Sequence, residues 1–85
     1  MMTKHQLLQA AKPLLRDLDE LECFIYRYPA HRDFTYTAMQ DVKELCHVAR
    51  FETQQHMTVE QVRHFFRIQE EVQKRLFKLK AAGTS

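Results

Sequence analysis

Leu7, Ala11, Leu14, Leu18, Leu21, Ile25 and Tyr28 fall at alternating steps of four and three, with mostly polar residues between them. Val62, Phe65, Gln69, Val72, Leu76 and Leu79 repeat that rhythm near the other end of the chain. Such spacing gathers each set on one face of a helix, and a face of this kind is buried against other helices. Between them, Ala38, Met39, Val42, Leu45, Cys46 and Ala49 keep a helical period until Glu52 and His56 turn the seam polar. The pattern predicts three long helices, over about residues 3–27, 35–55 and 59–82.

Local signals refine those bounds. Thr3 is placed to cap the first helix, and Pro29 to end it, because the residue before a proline is steered away from helical geometry. Pro13 lies inside it and removes the backbone bond to the Gln9 carbonyl. The apolar stripe crosses Pro13 without changing phase, so the expectation is one kinked helix rather than two short ones. For the second helix Asp33, Thr35 and Thr37 compete as caps, and Thr37 with Gln40 has the spacing of a capping box. The third start is the clearest: Thr58 with Gln61 forms a capping box, and Met57 with Val62 a hydrophobic staple. Glu60 suits the first turn and Lys78 and Lys80 the last. Gly83 reads as the stop, with Thr84 and Ser85 frayed beyond it. Short connections make sequential helices antiparallel neighbours, so the fold expected is an all-α, antiparallel three-helix bundle forming one domain, residues 1–85.

Composition agrees with this picture. In 85 residues there are one Gly and two Pro, which leaves little material for the tight turns of a many-stranded fold. An apolar content of 45% is too high for a disordered chain. No apolar run reaches the ~18 residues of a membrane span. Gln6, Gln9 and Lys12 interrupt any signal-peptide core, so a cytoplasmic protein with no membrane partner is expected. Cys23 and Cys46 would stand roughly 9 Å out of level in a hairpin at about 1.5 Å per residue, which favours reduced thiols.

The chain carries more apolar side chains than three seams require. Leu8, Leu15 and Phe24, then Val48 and Phe51, then Val59, Phe66, Ile68 and Phe77 lie beside the stripes. Some widen the core faces, but Phe77 falls on the far side of the third helix from Val72 and Leu79 and points to a second interface, with another protein or a second copy. Gln69, in mid-seam, either fixes helix register as a buried amide or marks a loose, partly exposed spot. Around the first connection, Phe24, Tyr26, Tyr28, Phe34 and Tyr36 with Arg27 and Arg32 have the composition of an interaction hot spot, or of a small core closing the bundle end. The candidate partner-binding residues are therefore Tyr26, Tyr28, Arg32, Phe34, Tyr36, Phe66 and Phe77.

Charge adds a second candidate. The net charge is +2, and the excess sits at the end of the chain, where Arg63, Arg67, Lys74, Arg75, Lys78 and Lys80 face only Glu60, Glu70 and Glu71. These bases suit a phosphate backbone, with Phe77 to stack on a base. Against this, the sequence pI of about 8.7 falls short of the usual nucleic-acid footprint above ~9.

Metal and catalytic readings are weaker. His5, His56 and His64, with Glu52 and Glu60, fall toward one end of an up-down-up bundle, but no pair has zinc-motif spacing, so exposed histidines and no cofactor are expected. Cys46 and His47 are sequence neighbours and diverge by about 100° on a helix, which prevents a nucleophile–base pair. Asp17, Asp19, Glu20 and Glu22 read as a solvated band. The sequence thus points away from an enzyme and toward a small helical adaptor, accessory subunit or inhibitor acting by protein–protein contact. A nucleic-acid-binding accessory factor using the third helix is the alternative.

Overall fold

The structure, a computed structural model, describes residues 2–83, so the expected fraying of Thr84 and Ser85 lies outside the described residues. Three helices, α1 (Lys4–Cys23), α2 (Arg32–Phe51) and α3 (Val59–Gly83), run up, down and up in an antiparallel bundle of 47 × 18 × 18 Å. A single 3₁₀ turn, Pro29–His31, leads into α2. No helix among the described residues is long and apolar enough to cross a membrane.

The stripes build the core. Leu7, Ala11, Leu14, Leu18 and Leu21 of α1 meet Ala38, Val42, Leu45, Cys46 and Ala49 of α2 and Phe65, Ile68, Val72, Leu76 and Leu79 of α3. In α3 the inward position expected for Gln69 belongs to Ile68, while Val62 and Gln69 sit half-buried at the seam's edge. At 100° per residue Gln69 falls about 60° from the mean direction of the buried α3 side chains, and Ile68 about 40° on the other side. Thr35 is buried too, and its hydroxyl donates to the His31 carbonyl at 2.7 Å.

The capping box expected at Thr58 forms, the one expected at Thr37 does not, and Thr3, expected as a cap, makes a full box with Gln6. Gln6 N–H donates to Thr3 Oγ1 at 3.1 Å while Thr3 N–H donates to Gln6 Oε1 at 2.9 Å. Thr58 and Gln61 repeat the arrangement at 3.1 and 2.9 Å. The helix α1 continues through Pro13, whose ring faces solvent.

Three bounds differ from the sequence expectation. The helix α1 ends at Cys23 rather than Arg27, because Phe24–Arg27 form tight turns in which Arg27 and Tyr28 N–H donate to the Phe24 carbonyl at 3.1 and 2.9 Å. The helix α2 begins at Arg32, not near Thr35. Pro29 forces Tyr28 out of helical geometry (φ −130°, ψ 71°) and itself opens the 3₁₀ turn that feeds α2, so it acts as a starter as well as a stop. Thr37 is consequently inside α2 and is not its cap. At its far end α2 stops at Phe51 rather than near Gln55, with Glu52 extended. The following residues turn to the start of the chain: Lys4 N–H donates to the Gln55 carbonyl at 3.0 Å, and Met57 N–H to the Met2 carbonyl at 3.1 Å. Met57 is thereby buried, closing that end of the core.

Candidate functional site

Bundle geometry sorts the candidate residues into three places. Beside the first connection, Tyr26 is 94% exposed and Tyr36 about half exposed, and the two line a shallow depression with Glu22, Cys23 and Ile25. Tyr28 and Phe34 turn the other way and pack against the core. Arg32 remains at the surface, 3.9 Å from the carboxylate of Asp33. The aromatic cluster is thus split between three half-buried rings, Phe24, Tyr28 and Phe34, that close the bundle end and an exposed pair of tyrosines.

Phe34 belongs to a second feature, a groove between α2 and α3. These two helices pack against each other less closely than either packs against α1. The space left, about 350 Å³, has Phe34, Ala38 and Ile68 along it. At one end His64 Nε2 lies 3.2 Å from Asp41 Oδ2. At the other, the Arg75 guanidinium stacks over Phe34 at 4.1 Å. It donates through Nε to Glu71 at 3.0 Å and through Nη1 to His31 Nδ1 at 2.7 Å. Arg75 therefore ties α3 to the start of α2. The four-residue spacing of Glu71 and Arg75 on α3 was legible in the sequence, but His31 and Phe34 lie on elements whose register with α3 only the fold sets.

The third feature is the outer face of α3. Val59, Phe66, Gln73 and Phe77 recur at steps of seven, seven and four. At 100° per residue they share an arc of about 40°, turned about 120° from the core direction. The three large apolar ones are 52%, 47% and 76% exposed respectively. Beside them Arg63, Arg67, Lys74 and Lys78 form a ridge within an arc of about 60°. All four are exposed, and among the described residues none pairs with a carboxylate. The other two basic candidates are occupied: Arg75 as above, and Lys80 by Glu20 of α1 at 2.7 Å. The six bases therefore reduce to four that are open to a partner.

Other chemistry is not assembled. His5 and His56 are exposed and His64 is committed to Asp41, and no three metal-ligating side chains come together among the described residues. Cys46 is buried, and that burial pushes its thiol pKa up against the opposing pull of Arg50, whereas Cys23 is exposed at the end of α1. A buried thiol held in its protonated form is a poor nucleophile.

No protein-family model, curated protein or solved structure matches this chain.

Proposed function

We propose that the protein is a small, non-enzymatic contact module, acting as an adaptor, accessory subunit or inhibitor through protein–protein association, with the outer face of α3 as its docking surface. The observation that carries this reading is the line of Val59, Phe66 and Phe77, exposed on one face of a helix whose opposite face already builds the core. A helix with two apolar faces satisfies one by folding and keeps the other for a partner. Anchors at steps of seven and eleven residues stay on one helix face, the arrangement read by helix-in-groove and helix-pairing partners. Tyr26 and Tyr36, at the far end of α1, form a smaller secondary contact.

Affinity capture from lysate, with and without nuclease, tests the reading. The wild-type protein should retain a partner after nuclease treatment, and F66D/F77D should lose it while keeping its helical circular dichroism. Retention by the folded double variant would overturn the assignment to α3. The ridge Arg63, Arg67, Lys74 and Lys78 favours a second reading, a nucleic-acid accessory factor, for which capture would disappear with nuclease.

A further inference from the structure

Resting on that reading, we infer that the partner of α3 is an acidic amphipathic helix from a different protein, with its apolar stripe on Val59, Phe66 and Phe77 and its carboxylates on Arg63, Arg67, Lys74 and Lys78. The apolar line spans about 27 Å at 1.5 Å per residue, which matches a partner helix of roughly five turns. The cations lie on one side of that line only, so the partner needs its acids along one edge. Four exposed cations without carboxylate partners outnumber Glu60 and Glu70 on the same side, which gives the surface a sign as well as a shape.

The same ridge argues against a second copy of the chain. An antiparallel two-fold pairing of α3 that sets Val59 against Phe77 brings Arg63 level with Lys74 of the other copy, to within one residue. Pairing Phe66 with Phe77 instead brings Arg67 within two residues of Lys74, and Arg63 within two of Lys78. In the second register like charges meet, twice over by symmetry, which opposes association; in the first, Glu60 and Glu70 fall within two residues of Arg67, Lys74 and Lys78 and offset the repulsion. Nucleic acid fits less well than a protein. Of the three apolar side chains on the line only Phe66 and Phe77 can stack on a base, and Val59 cannot.

The test uses the full chain and defined probes. Two labelled 18-residue helical peptides share one leucine stripe and differ in carrying Glu or Lys along one edge; a 20-nucleotide single strand and a 20-base-pair duplex complete the set. Fluorescence anisotropy at low salt should show saturable binding of the Glu peptide, weakened at least tenfold by R67E/K74E and by 0.5 M salt, and little binding of the Lys peptide or of either nucleic acid. Equal binding of both peptides would overturn the proposal, as would tighter binding of a nucleic acid or a dimer in sedimentation at micromolar concentration. The broader reading fails separately. If F66D/F77D abolishes capture of a protein partner while R67E/K74E leaves it unchanged, α3 remains the docking face and the acidic class is wrong. If neither variant affects capture, both fall.

Discussion

Arg75 shows how much a residue's surroundings change its meaning. In the sequence it is one base among six near the end of the chain; in the fold it joins Glu71, His31 and Phe34 across the α2–α3 seam. Its side chain is only a quarter exposed, so its stacking and charge-assisted bonds are worth more than those of an open surface pair. Arg75→Ala should lower unfolding stability by about 1–2 kcal/mol in urea denaturation, whereas Lys74→Ala and Lys78→Ala should stay within about 0.5 kcal/mol. The cysteines separate in the same way. Iodoacetamide at neutral pH should modify Cys23 promptly and reach Cys46 only in denaturant, as mass spectrometry of tryptic fragments would report. Because burial raises the Cys46 value, its contribution to stability is intact below the ordinary thiol range near ~8.5 and is lost as pH rises through the folded value.

At the scale of the elements, the helices were legible because each carries its own apolar stripe, with Thr3 to cap α1 and Thr58 and Gln61 to box the start of α3, all within a few residues of sequence. Their ends were less so. Pro29 reads locally as a stop, yet its fixed φ also starts the turn that begins α2 three residues early. The early end of α2 was invisible for a different reason: the residues that follow it bond to Met2 and Lys4, more than fifty positions away. Within the candidate site, the exposure of Phe77 followed from its angle on α3, while the split of the aromatic cluster depended on where α1 turned. Pro13 gives the element-scale prediction. It sits inside α1 on the solvent side, where it forfeits one backbone bond without gaining core packing. Pro13→Ala should raise stability by about 1–3 kcal/mol with no loss of binding, measured by thermal unfolding.

For the whole molecule, the unequal packing of the three helices sets an order of stability. The helix α1 lies against both neighbours, while α2 and α3 touch sparingly along their groove. Native-state hydrogen exchange should find the slowest amides around Leu14 and Leu18 of α1, and faster exchange along α3 toward Gly83. Uniform protection of all three helices would show instead that the bundle opens only as one unit.

An up-down-up bundle also has an odd number of helix dipoles, so one of the three is left uncancelled. The end that gathers the first turns of α1 and α3 with the last turn of α2 keeps about half a positive elementary charge, and the opposite end about half a negative one. Val59, where the apolar line on α3 begins, lies at the positive end. An acidic helix of the kind proposed would meet that half-charge within the first turn of α3, beside the Thr58 cap.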